Sequence, residues 1–248
     1  MRKLFSFLII ALPFAGKGQD STYTRLNTIK VNLVSSFLYS NSAALSYERV
    51  VKPNQSWAVM AGYVRFPNLG TLGPSIASKE ITSNGGYVVG GEYRFYFKKE
   101  NKYAAPHGVY IGPYANFFNF NNERTLTFTS SSGVTSEAVL NSKIQVLNVG
   151  VQLGYQFVVK DRWTFDFIFL GPSFSNYKAT MRLDGTFDAS EENDLRDRIL
   201  TALADKFPVV KDLLGNETVN LHGTSSKWSG GFRYQMNVGY RFGRARKH

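Results

Sequence analysis

The sequence predicts an all-β fold: an eight-stranded antiparallel up-and-down transmembrane β-barrel with a helical insertion between strands 7 and 8. Three observations carry that expectation. Apolar and polar residues alternate in segments of about ten residues, the period and length that a tilted membrane-crossing strand requires. The apolar parity is crowded with large aromatics, in a chain of 248 residues holding 20 Phe, 14 Tyr and 3 Trp. The polar connections alternate short and long, as they do when one end of a barrel carries turns and the other carries loops.

The N-terminus reads as a secretory signal over residues 1–18. Arg2 and Lys3 open it, Leu4 to Ala15 form an apolar run broken by Ser6 and Pro13, and Gly16 and Gly18 supply small residues before Gln19. The run is too short to span a bilayer as a helix. Residues 19–248 then form the barrel domain. Loss of Arg2, Lys3 and Lys17 leaves 26 basic against 18 acidic residues, a mature charge of +8. Such a balance suits anionic partners such as lipid phosphates; export argues against nucleic acid. The absence of cysteine excludes disulfides, thiolate metal sites, a cysteine nucleophile and a lipid-modified cysteine. The mature chain holds no apolar stretch of helix-spanning length, so a membrane position requires closed strands, because lipid cannot satisfy free backbone groups.

The first strand is expected near Asn27–Ser35, with Ile29, Val31 and Leu33 outward. The second, Ala43–Val51, sets Leu45, Tyr47 and Val51 outward and Ser46 and Glu48 inward. Trp57–Arg65 forms the third, with Trp57, Val59, Ala61 and Tyr63 outward. The fourth, Gly86–Phe97, opposes Tyr87, Val89, Tyr93, Phe95 and Phe97 to Gly90, Glu92 and Arg94. In the fifth, Gly108–Phe120, both parities mix apolar and polar residues, and the facing stays open. In the sixth, Leu147, Val149, Val151, Leu153, Tyr155 and Phe157 alternate with Asn148, Gly150, Gln152, Gly154 and Gln156. The seventh, Trp163–Leu170, opposes Trp163, Phe165, Phe167 and Phe169 to Thr164 and Asp166. The eighth places Trp228, Phe232, Tyr234, Met236, Val238, Tyr240 and Phe242 on one face and Arg233, Gln235, Asn237, Gly239 and Arg241 on the other. The polar face of the sixth strand is Gly, Asn and Gln rather than Lys and Glu, which suits a narrow interior better than open water.

Short polar turns are expected at Lys52–Ser56, Lys98–His107 and Lys160–Arg162, on the periplasmic side. Phe66–Gly85, Asn121–Lys143 and Ser173–Lys227 are expected as long outward loops. Aromatic girdles follow: Trp57, Phe97, Phe157, Trp163, Tyr240 and Phe242 at the periplasmic ends, and Tyr63, Tyr87 and Trp228 opposite. Within the last loop, residues 188–214 read as a helical extracellular insertion. Asp188 and Glu191 form a capping box, with Ser190 as a competing cap. Leu195, Ile199, Ala202, Leu203, Phe207 and Val210 keep helical spacing. Pro208 interrupts the run and Gly215 ends it. The insertion carries seven acids and four bases, a net −3. An acidic helix is a poor match to an anionic leaflet, which favours a cap over the barrel mouth or a protein-partner element.

The stretch Ile29 to Tyr63 resembles the opening of uncharacterised Bacteroidetes-type outer-membrane barrel proteins. Their loose pattern is Lys-x-Asn-Leu, a Glu-containing strand, and a Ser-Trp restart. Lys30, Asn32, Leu33, Glu48, Arg49, Ser56 and Trp57 match it. Gly239-Tyr240-Arg241-Phe242 resembles the terminal strand recognised by the outer-membrane assembly machinery, although Gly243–His248 follow the last aromatic. The broader relatives are the small OmpA-like and OmpX-like barrels. The resemblance implies residence in the cell outer membrane.

Candidate chemistry is sparse. Glu48, Glu92, Arg94, Asp166, Arg233 and Arg241 are expected to form a polar network in the lumen, since a charge inside a barrel must be paired or hydrated. An eight-stranded barrel has little room beyond its own side chains, so a wide pore is not expected. His107 falls in a periplasmic turn and His248 is terminal. His222 lies near Thr224, Ser225, Ser226 and Glu217, which makes a lipid hydrolase the enzymatic alternative. A soluble exported barrel holding a small apolar ligand is the other. No catalytic, cofactor or metal-binding residue is assigned: the histidines lack useful spacing and no calcium loop is present. The pairs Gly85-Gly86, Gly90-Gly91 and Gly230-Gly231 sit in or at the start of strands, where glycine relieves crowding. Lys79, Arg124, Lys143, Lys178, Arg182 and Lys227 are expected at the outer rim, facing lipopolysaccharide phosphates. The function expected is structural, adhesive or partner-binding through extracellular loops.

Overall fold

The computed structural model describes residues 23–34, 42–65, 76–129, 135–185, 223–243 and 245–246. The signal segment 1–18, the helical insertion 188–214, Glu217 and His222 lie outside the described residues. The chain runs through β1 (Tyr23–Thr24), β2 (Asn27–Asn32), β3 (Ala43–Lys52), β4 (Gln55–Val64), β5 (Ile76–Tyr96), β6 (Gly108–Thr129), β7 (Thr135–Val159), β8 (Trp163–Leu170), β9 (Pro172–Gly185), β10 (Gly223–Phe232), β11 (Gln235–Phe242) and β12 (Ala245–Arg246).

Ten of these strands form one antiparallel sheet, and eight of them close into a hydrogen-bonded ring. Sequential neighbours pair from β2 to β8, β11 pairs with both β8 and β2, and the circle is complete. Closure leaves no edge within the ring, so every backbone N–H and C=O there has a neighbouring strand to meet.

β8 and β9 are two stretches of one rising path. They flank Gly171, and both pair with β7, at Leu153–Val159 and Ala138–Gly150. Likewise β10 and β11 flank Arg233–Tyr234 and pair with β9 and β8. The interruption is held by polar contacts: the Gly171 carbonyl accepts from Arg233 N–H at 2.8 Å and from Tyr114 Oη at 2.7 Å.

One end of the ring carries the β3–β4, β5–β6 and β7–β8 connections, the start of β2 and the finish of β11; we call it the turn end. There β7 returns into β8 through Lys160 and Asp161, both left-handed (φ 50° and 56°), the pair of a tight hairpin whose twist matches its strands. Tyr23 and Thr24 pair with Arg246 and Ala245, extending the β2–β11 ladder past the ring. The residues following the last aromatic therefore meet the residues preceding the first ring strand.

At the far end, β5, β6, β7, β9 and β10 rise beyond β2, β3, β4 and β11 as a one-sided wall. This corrects the expected loops. Residues 76–85, 121–129, 135–143, 173–185 and 223–227 are strand, not connection. They are rich in Thr, which suits a pleated backbone, and they bury Leu126, Ala138 and Leu140. The first strand ends at Asn32 rather than Ser35.

Period two sorts the side chains. Ile29, Val31, Leu45, Val59, Tyr63, Tyr87, Val89, Phe95, Val149, Val151, Phe157, Trp163 and Phe169 are exposed on the outside. Val151 and Tyr234 are 53% and 54% exposed, which excludes an arrangement burying them with Phe165 in one apolar core. The interior is polar: Thr28, Lys30, Glu48, Ser56, Arg94, Gln152, Gln156, Thr164, Asp166 and Asn237 are buried. The open facing of the fifth strand resolves here. Tyr110, Gly112, Tyr114 and Asn116 point inward, Ile111, Pro113 and Ala115 outward.

Candidate functional site: a charge network inside the ring

The ring interior is organised around three cations, Lys30, Arg94 and Arg233, and three carboxylates, Glu48, Glu92 and Asp166. Lys30 Nζ lies 2.7 Å from Asp166 Oδ2 and 2.8 Å from Glu48 Oε2. Arg94 Nη2 lies 2.9 Å from the same Asp166 oxygen, and Nη1 lies 3.6 Å from Glu48 Oε1. Arg94 also donates from Nε at 2.6 Å and from Nη2 to Glu92 Oε1. Arg233 Nη2 reaches Glu92 Oε2 at 3.0 Å, and its Nη1 donates to Gln152 Oε1 at 2.9 Å.

Neutral groups complete the shell. Tyr110 Oη donates to Asp166 Oδ1 at 2.6 Å and Tyr96 Oη to Glu48 Oε1 at 3.0 Å. Ser56 Oγ donates to the same Glu48 oxygen at 2.6 Å. The Gln156 amide accepts from Lys30 at 3.0 Å and Arg94 at 2.9 Å, and donates to Glu48 at 3.2 Å. Guanidinium stacking adds to this: Arg94 sits 4.3 Å from the Tyr110 ring centroid and Arg233 4.7 Å from that of Tyr114. Equal charge and multiple hydrogen bonds per ion are what a desolvated cluster needs to offset its burial.

Glycine makes room for it. A Cβ on Gly154 would lie 2.5 Å from the Tyr110 ring and 2.7 Å from the Phe167 carbonyl. One on Gly239 would lie 2.7 Å from both Lys30 Cγ and Thr164 Oγ1. Large inward Tyr and Lys side chains thus face strands stripped to backbone. Above the network, a cavity bounded by Ser46, Met60, Gly90, Glu92, Asn116 and Gln235 offers about 10 Å³ to a water centre. That is room for roughly one water.

The expected constellation is therefore brought together in five of its six members. Arg241 is the exception. It sits at the turn end, where Nη1 meets Asp161 Oδ1 at 2.6 Å and Nη2 donates to the Arg25 carbonyl at 2.5 Å. Arg25 Nε meets the other Asp161 oxygen at 3.2 Å. This second cluster ties the start of β2, the end of β11 and the β7–β8 turn together. Lys30, Tyr96, Tyr110 and Gln156 are network members that the inward-charge reading omitted. The parity of Ile29 and Val31 was sufficient to turn Lys30 inward.

The expected girdle residues lie on the outside. At the turn end Trp57 packs edge-on against Tyr47 at 5.6 Å and Trp163 against Tyr240 at 5.5 Å. Phe157 stands 4.4 Å from Tyr155 and 6.1 Å from Phe167. Tyr47 brings Phe242 within 6.4 Å, and Phe97 is half-buried. Tyr63 and Tyr87 face each other across β4 and β5, and Trp228 is exposed on β10.

Two further placements correct the reading. Arg124 is not a rim cation: it is 1% exposed, donating from Nε to Asn122 Oδ1 at 2.8 Å, with Nη1 and Nη2 unpartnered. Thr224, Ser225 and Ser226 stand on β10 and not in a loop. His107 lies in the β5–β6 connection, 4.7 Å from the Tyr103 ring. Burial, helped by the charge of Arg241, pushes its imidazole below the ordinary value. The folded chain then binds this proton less readily than the unfolded chain. Its contribution to stability is full above the ordinary pKa of 6.5 and declines as pH falls through the folded value. His107→Gln is expected to flatten the fall in urea midpoint between about pH 7.5 and 5.5; an unchanged slope would remove His107 from the pH response.

Among the described residues no group of His, Asp or Glu is arranged to hold a metal ion. The family described as "Protein of unknown function (DUF3575)" matches residues 5–190, about three quarters of the chain. The chain belongs to the DUF3575 family. The match covers Lys30, Glu48, Glu92, Arg94 and Asp166, and stops short of Arg233 and of β10 and β11. In this DUF3575 chain the family region thus supplies all three carboxylates and two of the three cations, while β11, the strand that closes the ring, lies beyond it. No curated protein matches the chain.

Proposed function

We propose that this protein is an integral outer-membrane β-barrel with a filled interior. It serves the envelope as a structural element and partner platform rather than as a wide pore. The observation that carries this is the outward band of large apolar residues on a closed ring whose inside is polar. On β7 the band runs from Leu147 to Phe157 without a charged outward residue. Ten steps at about 3.3 Å give roughly 33 Å of strand, or roughly 25 Å of height at a tilt near 40°. That is the height of the apolar belt of outer-membrane barrels. Water as the outer solvent would leave this band exposed far beyond the few hundred Å² usual on soluble monomers.

The neutral, hydrogen-bonded network supports the filled interior, because an ion crossing it would have to displace paired charges. The one-sided far-end wall supports partner binding at that end.

Fractionation tests the location. The protein should stay with outer membranes through a carbonate wash and migrate differently on gels before and after boiling. Release into the wash would overturn the membrane reading. In planar bilayers the purified protein should give no large, stable conductance steps; porin-sized steps would overturn the filled interior.

A further inference from the structure

Cations collect at the turn end. Arg49 and Lys52 flank the β3–β4 turn, Lys98, Lys99 and Lys102 lie in the β5–β6 connection, and Lys160 and Arg162 in the β7–β8 turn; all seven are exposed. The acids described at this end are Glu100 and Asp161, and Asp161 is engaged by Arg25 and Arg241. Among the described residues none of the seven forms an ion pair. A rim with seven exposed cations against Glu100 and the already engaged Asp161 is strongly basic and calls for anions from outside the chain.

Two of these cations are built into aromatic clusters on the outward face. Arg162 Nη1 donates to Tyr240 Oη at 2.6 Å, and Tyr240 packs against Trp163. Arg49 Nη1 donates to Asn27 Oδ1 at 3.0 Å, which also accepts from Tyr47 Oη at 2.7 Å; Tyr47 packs against Trp57 and Phe242. The clusters stand on either side of the β2–β11 pair. Each guanidinium spends one hydrogen-bond donor on the protein and keeps the rest of its fork for an oxyanion. The rings beside it suit the boundary between headgroup and acyl chain. A soluble polyanion would use the charge but has no need of aromatic rings arranged beneath it. An amphipathic anion uses both.

We propose that the turn-end rim binds anionic phospholipid headgroups of the leaflet it faces. Arg49 and Arg162 each take a phosphate, and the neighbouring lysines supply the attracting field. This rests on the transmembrane reading.

The full chain carrying Trp228→Phe leaves Trp57 and Trp163 as reporters at the rim. It would be reconstituted in phosphatidylcholine vesicles doped with brominated phosphatidylglycerol or brominated phosphatidylcholine, and quenching of Trp fluorescence read. Quenching by the brominated anionic lipid should indicate an affinity about fivefold above that of the brominated zwitterionic lipid, the ratio one near-surface cation gives. Arg49→Gln with Arg162→Gln should abolish the preference. Lys98→Gln, Lys99→Gln and Lys102→Gln together, all outside the strands, should lower it with the ring intact. Inorganic phosphate at matched ionic strength should leave it unchanged. Equal quenching by both lipids, a preference surviving all five substitutions, or full displacement by phosphate would overturn the proposal. Absence of quenching by either lipid would instead strike the transmembrane reading itself.

Discussion

Asp166→Ala is expected to destabilise the protein by about 3–5 kcal/mol, the usual cost of removing one partner from a buried ion cluster. Asp166 accepts from Lys30, Arg94 and Tyr110, so its loss leaves three cations facing two carboxylates. The measurement is the urea midpoint of the folded, fast-migrating gel band in micelles. Lys30→Met combined with Asp166→Leu should recover part of the loss, because it removes both members of a close pair and restores equal charge. Glu48 retains Arg94 in that double variant, at 3.6 Å. A single-variant loss under about 1 kcal/mol would mean that the cluster is hydrated and its charges screened. A double variant as unstable as the two single losses summed would deny the coupling between Lys30 and Asp166.

The reason this network was only partly legible in the sequence is instructive. Glu48, Glu92, Arg94 and Asp166 lie on strands whose opposite parity is plainly apolar, so alternation alone turns them inward. Lys30 obeys the same rule between Ile29 and Val31, yet its strand is six residues long and gives a short pattern. Tyr96 and Tyr110 were hidden for a different reason. An aromatic ring reads as part of the oily face, whereas these two put their hydroxyls on buried carboxylates. Inward Tyr110 and Tyr114 are also what blurred the two faces of β6. Gln156 was on the polar parity throughout, but nothing in a sequence says that one amide will touch two cations and a carboxylate.

The misjudged loops have a common cause. Apolar alternation marks a strand only where one face meets an apolar medium. Ile76–Gly85, Thr135–Lys143 and Gly223–Lys227 continue the pairing of their strands without a sustained outward apolar parity, although Ala138 and Leu140 are buried there. Thr content is the remaining strand signal in these stretches. Arg241 was misassigned by the opposite error. Its inward parity is real, but strand position places it a full turn-end layer away from Glu92 and next to Asp161. Parity gives the side of a sheet; only register gives the height along it.

The most decisive result to expect comes from the outer face. Val151→Arg puts a guanidinium in the middle of the outward band of β7 and should cost about 2–4 kcal/mol if hydrocarbon surrounds the ring. Gln145→Arg, six residues along the same face and toward the polar wall, should cost about 0–1 kcal/mol, since the penalty falls away near the interface. Neither position touches the interior charges, and Gln145 gives up one long hydrogen bond, to Asn119 Oδ1 at 3.3 Å, so the contrast reads chiefly the solvent outside the strands. In water both substitutions would be close to neutral, as exposed polar changes usually are. Equal, small effects at the two sites would therefore remove the lipid and with it the reason for an aromatic exterior. A steep difference would fix the height of the apolar belt on the strand, because the penalty depends on depth. Measured at successive outward positions from Leu147 to Phe157, it should rise to a maximum near Val151 and decline toward both ends, a profile that a protein partner covering the same face has no reason to reproduce on every strand of the ring.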